Sequence, residues 1–237
     1  MQTQNHSCHI PLRTQELFDL MHTRARPWLE HTEYPWEILP DISTIIREVG
    51  DTLDSALYDH PADGIWIAKS ATVAPTAHIG APAIIGERTE VRHCAFIRGS
   101  ALVGDDCVVG NSTELKNCIL FDGVQVPHYN YVGDSVLGYK SHMGAGAITS
   151  NVKSDQSPVT VKPAAGCEGD FAPIPTGRKK LGAMLGDFVE VGCNSVLNPG
   201  TVVGPHSNIY PLSSVRGAVP ANVIFKSGRG SEIVKKV

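Results

Sequence analysis

The sequence predicts a β-dominated fold: a parallel β-helix of hexapeptide repeats with an N-terminal helical cap. Three observations predict it. Every sixth residue from Ile67 to Phe121 is aliphatic or aromatic, namely Ile67, Val73, Ile79, Ile85, Val91, Ile97, Val103, Val109, Leu115 and Phe121. With 42% of the chain hydrophobic, such a run has a chance probability on the order of 10⁻⁴. Small side chains stand two places earlier (Ala71, Ala77, Ala83, Thr89, Ala95, Ala101, Cys107, Thr113), and Gly80, Gly86, Gly104 and Gly110 directly follow four repeat residues. The rhythm then resumes at Leu185, Val191, Leu197, Val203, Ile209 and Val215, with Ser195, Thr201, Ser207 and Ser213 in the small positions. A sustained period of six is neither the 3.6 of a helix nor the 2 of a strand. It is the period of a prism whose three short sides make a coil of about eighteen residues, stacked at roughly 4.8 Å. Large aliphatics fill the interior, small residues sit near corners, and glycine relieves crowding at turns.

Residues 1–63 lack the hexad. Leu17, Phe18, Leu20, Met21, Trp28 and Leu29 suggest an amphipathic helix with Thr14 as N-cap and a kink or break at Pro27. A second helix is expected from Asp41 through Val49, stopping before Gly50, with helical character through Thr52–Tyr58 and a turn over Asp59–Gly64. This segment is expected to cover the open end of the prism, because solenoid ends need covers. Trp28, Tyr34 and Trp36 read as core.

The prism itself is expected over residues 64–222. After Phe121 the rhythm stutters, and Val132, Leu137 and Met143 restore it with one five-residue step. The two runs then read as one prism interrupted from about 122 to 180. Residues 151–180, rich in Pro, Gly and small polar residues, read as a loop or arm with room for a short hairpin, and loops of this length inside a compact domain are usually functional or disordered. The basic run Arg178-Lys179-Lys180 closes it. It reads either as a solvated face or as a contact to a cofactor phosphate, through Arg178 and Lys179. Residues 223–237 read as a tail or terminal cover.

The composition narrows the function classes. A net charge of −4 with 19% charged residues gives no basic field for nucleic acid. No apolar run is long enough for a membrane span, and the first fifteen residues lack a signal-peptide core, so a cytoplasmic protein is expected. The six cysteines (8, 94, 107, 118, 167 and 193) form no CxxC pair and read as reduced thiols.

Arg98 follows Ile97 and Lys116 follows Leu115, one coil later. Both belong on the same edge of adjacent coils. Two cations at strand spacing repel unless they splay into solvent or share an anion, and arginine suits phosphate oxygens. Spacing alone leaves both readings open.

The stretch 113–151 is more specific. Glu114-Leu115-Lys116, His128-x-x-Tyr131-x-Gly133-Asp134 and Gly144-Ala145-Gly146-x-Ile148-Thr149-x-Asn151 resemble the acetyltransferase domain of the bifunctional N-acetylglucosamine-1-phosphate uridyltransferase/glucosamine-1-phosphate acetyltransferase family. The likeness extends loosely over 65–151 and 185–220. It implies a left-handed coil, against the usual crossover rule, and a homotrimer with sites between subunits. It also implies acetyl-CoA as co-substrate, a sugar phosphate as acceptor, direct acetyl transfer, and no metal. It assigns His128 as general base and Asn151 to the acetyl-transfer site. Arg98, Lys116, Tyr131 and His142 fall to the sugar phosphate, and Ala145, Cys193 and Pro211 to the cofactor. A histidine titrating near neutral pH suits an amine that must lose a proton to attack a thioester, and backbone N–H groups suit the oxyanion.

Departures from the family bear on the substrate. The nucleotidyltransferase domain with its glycine-rich phosphate loop is absent from this sequence, so no uridyltransferase activity is expected. His142 replaces an asparagine of the sugar site, Val152 a tyrosine, and Cys193 a serine near the cofactor, while a following lysine has no counterpart. Two other readings stand beside the leading one. A metal hydrase on such a prism needs two histidines five apart, which His78, His93, His128, His142 and His206 do not supply. A non-catalytic sugar-phosphate binder would keep the prism and lose the enzyme.

Overall fold

The computed structural model describes residues 9–164, 171–227 and 231–235. It is a left-handed parallel β-helix with an N-terminal helical segment. On the first wall Ile85, Val103, Leu120, Leu137, Leu185, Val203 and Val219 stand in register, one per coil. The second wall stacks Thr72–Val73, Glu90–Val91, Val108–Asn111, Gln125–His128, His142–Met143, Glu190–Val191, Asn208–Ile209 and Val223–Ser227. On the third wall lie His78–Ile79, Phe96–Ile97, the starts of Glu114–Leu120 and Tyr131–Leu137, Ile148–Thr149, Val196–Leu197 and Ser214–Val215. Thr89, Thr113, Ser195 and Ser207 are buried and donate their hydroxyls to backbone carbonyls across the core. That is why small polar residues serve in those positions.

Corners and glycines divide the work differently from the sequence expectation. The corner residues Arg88, Cys94, Ser100 and Asp106 have φ between 49° and 58°, the left-handed region, although none is glycine. Gly86 is needed for close stacking: a Cβ there would lie 2.2 Å from the Gly104 carbonyl oxygen.

The stutter after Phe121 is smaller than the sequence suggests. Leu115 pairs with Ile97 eighteen residues earlier, but Cys118 pairs with Ala101 and Ser135 with Cys118, seventeen apart. The corner from third to first wall has lost one residue in two successive coils, and single strands, Glu114–Leu120 and Tyr131–Leu137, run through it. Leu120 therefore fills the interior in place of Phe121, whose ring packs 5.0 Å from Phe18. Residues 122–149 otherwise continue the coil. After Thr149 the chain leaves the prism at that same corner, and it returns in register by Ala183, with Leu137 against Leu185 and Thr149 against Leu197. The excursion carries the antiparallel hairpin Thr160–Val161 with Ile174–Pro175 and buries Val159, Val161, Ala164 and Leu181.

The N-terminal segment does not lid the open end. It lies along the outer face of the first wall, where Ile84, Leu102 and Ile119 are buried under the helix Ile42–Gly50. That helix begins after Asp41 as expected and includes Gly50. The earlier helix is instead three short pieces, Thr14–Leu17, Leu20–His22 and Arg26–Leu29. Arg13, not Thr14, holds the N-cap, and Pro27 opens the third piece rather than breaking a longer one. Leu17 and His22 give carbonyls to Asp187 and Asp122 backbone N–H groups, and Arg24 pairs with Asp105 at 2.8 Å, so the segment is strapped up one corner. Tyr58–Ala62, expected as helix end and turn, is a strand that closes the edge of the first wall against Ile65–Ala68. Ser231–Lys235 closes the second wall against Val223–Ser227.

Cys107 and Cys118 are buried free thiols, and burial pushes both well above the ordinary thiol range. Cys94 and Cys193 are exposed and free. Cys8 and Cys167 lie outside the described residues. Among the described residues no helix is long and apolar enough to cross a membrane.

Candidate active site

The outer face of the third wall forms a floor between two corners. The register of Leu115 with Ile97 puts Arg98 and Lys116 on adjacent strands at its far edge. The two cations do not face each other unaided, because Glu114 supplies an anion: Arg98 Nη1 donates to Glu114 Oε1 at 2.7 Å, which holds the guanidinium even more firmly protonated. Among the described residues the Lys116 ammonium has no hydrogen bond or ion pair.

Tyr131 stands in register with Glu114 at the near edge of the same wall, and its ring reaches back across Gly133. Its hydroxyl accepts from Asn151 Nδ2 at 3.3 Å, and burial, then Asp134 and Glu114, push the phenol up. Asp134, buried at the corner, accepts from Asn117 at 2.9 Å and from Asn151 at 2.6 Å. Asn117 also donates to the Leu39 carbonyl, tying this corner to the N-terminal segment.

The near corner is a column. His128 pairs with Asn111 below it. Above it Gly146 N donates to His128 O, Asn194 N to Ala145 O and Leu212 N to Cys193 O, at 2.8–3.0 Å. Asn111, His128, Ala145, Cys193 and Pro211 therefore rise one coil apart. The buried Asn130 side chain holds the column together by accepting from His128 N and donating to Gly144 O and Ala147 O. The His128 ring is exposed and, among the described residues, makes no hydrogen bond. His93 is bonded to Thr76, and His142 Nδ1 to Glu190 Oε2 at 2.7 Å.

Within one chain, then, Arg98, Lys116 and Asn151 gather at the far corner and His128, Ala145, Cys193 and Pro211 at the near one. Tyr131 spans the floor between them, on the order of 7 Å of strand. His128 and Asn151 are not neighbours. His142 belongs to neither group: it pairs with Gln125, three residues before His128, about 10 Å along the strand. Arg178 and Lys179 come with the returning excursion, beside the Val152–Lys180 bridge, at the far corner and not on the column. Their backbone is fixed by Val159 N on Arg178 O at 2.7 Å. Asn117, Glu190 and Asn130 escaped the sequence reading. Asn117, Asp134 and Asn151 are spaced by the seventeen residues of a shortened coil, and that was the available signal.

A family profile described as the GMPPB C-terminal domain matches residues 95–216, just over half of the chain. A bifunctional sugar-1-phosphate nucleotidylyltransferase/acetyltransferase of Sulfurisphaera tokodaii is 35% identical over 108 residues, 46% of this chain and 25% of that protein. The bifunctional protein GlmU of Methanococcus maripaludis is 37% identical over 91 residues, 38% of this chain and 20% of that protein. The matches thus span a quarter or less of the length of these relatives. Among solved structures, a UDP-N-acetylglucosamine acyltransferase of Francisella novicida aligns with 16% identity and a TM-score of 0.46, over 73% of this chain and 67% of that one. That likeness is too distant to add to the assignment.

Proposed function

The chain belongs to the family described as the GMPPB C-terminal domain, and from that premise we propose that it transfers an acetyl group from acetyl-CoA to the amine of an amino-sugar phosphate. The observation that carries the reading is the exposed, unengaged imidazole of His128 at the margin of a floor whose other margin offers the uncompensated Lys116 ammonium. A phosphorylated amine laid across the floor would present its phosphate to Lys116 and its nitrogen to His128. Tyr131, held by Asn151, would carry the sugar ring.

The residues fit the co-substrate. Ala145, Cys193 and Pro211 make a strip of small side chains one coil apart, matched to a long thin ligand, and it ends at His128. Acetyl-CoA supplies the acyl group activated as a thioester. His128 takes the proton the amine sheds as the N–C bond forms, and returns it to the sulfur as the C–S bond breaks. We infer a homotrimer from the family resemblance. The exposed Tyr129, Tyr210 and Leu212 around the near corner support a second copy packing there, and light scattering tests it.

The decisive assay follows thiol release from acetyl-CoA with glucosamine 1-phosphate and other amino-sugar phosphates. His128→Asn is expected to lower kcat by about 10²–10⁴-fold, while acetyl-CoA still raises its melting temperature. Full turnover by that variant removes His128 from the mechanism. A second reading, a non-catalytic sugar-phosphate binder, is favoured by the pairing of Arg98 with Glu114 and His142 with Glu190. It expects sugar-phosphate binding with no thiol release from any acceptor.

A further inference from the structure

The excursion also carries two lysines to a seam against the end of the prism. Lys153, Thr160 and Lys162 face Arg216 and Gly217 across a cavity of about 120 Å³. The backbone fixes this seam. Ala218 N donates to Lys162 O at 2.7 Å, Ala164 N donates to Ala218 O at 2.9 Å, and Pro163 bridges to Ala218. Gly217 has φ +92°, and a Cβ there would lie 2.5 Å from Lys162 O. Only glycine lets the excursion approach this closely.

Among the described residues the charges converge without matching acids. Among the described residues the Lys162 ammonium has no partner. Arg216 gives Nη2 to Asn198 Oδ1 at 3.2 Å and, among the described residues, meets no carboxylate. Lys153 is held by Ser157 Oγ, by the Pro158 carbonyl at 3.5 Å and by Asp155 at 3.7 Å, the one acid among the described residues that contacts any of the three. Three cations gathered with one carboxylate repel one another, and the Thr160 hydroxyl stands ready as a neutral donor. A cavity of about 150 Å³ holds a benzene molecule, so this one admits a single phosphoryl group and not a nucleoside.

We propose that this seam binds one phosphoryl group, at a site separate from the Arg98–Lys116 corner. Along that corner Lys116, Gly133, Ser150, Asn198 and Arg216 follow one another coil by coil. Four strand spacings, on the order of 19 Å, separate Lys116 from Arg216, too far for one phosphate to touch both. The inference does not rest on acyl transfer, and its test needs no turnover.

The test is calorimetric titration of the full chain with inorganic phosphate at low ionic strength, carried out in a Lys116→Gln background so that the far corner is silenced. Saturable one-to-one binding in the millimolar range or tighter is expected. Arg216→Gln and Lys162→Gln each weaken it about ten-fold or more, Arg216→Lys restores part of it, and Arg92→Gln, a surface neutralisation elsewhere, leaves it unchanged. AMP binding as well as inorganic phosphate assigns the site to a phosphate monoester protruding from the seam, and binding of inorganic phosphate alone assigns it to the free ion. No saturable heat, or equal weakening by Arg92→Gln, overturns the site. Should Arg216→Gln lower the melting temperature, Lys162→Gln decides, since the Lys162 ammonium holds none of the described residues in place.

Discussion

Gly133 leaves the room that the Tyr131 phenol fills: a Cβ there would lie 2.5 Å from the phenol oxygen. Gly133→Ala is expected to turn the ring away from Asn151 and cost about 1–3 kcal/mol, read by urea unfolding. If the sugar rests on Tyr131, KM for the acceptor rises while kcat holds. Asp134→Ala strands two side-chain amides that now share its carboxylate. A loss of about 1–3 kcal/mol is expected, and Asp134→Asn should recover part of it. Arg98, Lys116 and Tyr131 were legible because a motif and a coil length placed them on one wall. Asn117, Asp134 and Asn151 as a stack were not, because their spacing of seventeen follows from corners shortened by a residue, and the hexad alone assumes eighteen.

The excursion 150–182 is an element hung on a finished prism. Leu137 meets Leu185 and Thr149 meets Leu197 as if it were absent. Replacing it by a three-residue corner like 98–100 is expected to keep the β spectrum in circular dichroism. The melting temperature should fall, because Val159, Val161 and Leu181 leave the core at about 1.5–3 kcal/mol each. The chain without its excursion should also lose the phosphate bound in the seam. The repeat was readable because each interior position demands an aliphatic. The N-terminal helices were harder to read: their apolar residues show that a face is buried, but periodicity does not say whether it meets the end of the prism or its side. The outward-facing Ile84, Leu102 and Ile119 held that answer, since an exposed wall would carry polar residues there.

At the scale of the molecule, Asp187 joins prism and N-terminal segment. Its carboxylate accepts from Asp19 N at 2.6 Å and Tyr139 N at 2.8 Å, yet burial is the larger influence and raises its pKa to about 6 from an ordinary 3.8. The folded state therefore holds a proton that the unfolded chain releases between those values. The resulting stabilisation is complete below about pH 3.8 and is lost as pH rises to about 6, up to about 3 kcal/mol. Urea titrations at pH 4 and pH 7 are expected to show this difference between the wild type and Asp187→Asn, and parallel profiles would contradict it. One bend of the prism, between its third and first sides, has twice shed a residue and once taken in thirty, while the stack above and below kept step. Such a bend is a port for new sequence. A foreign peptide spliced between Thr149 and Ala183 should be displayed on an undisturbed scaffold, which makes this position the natural place to graft a reporter or a binding epitope.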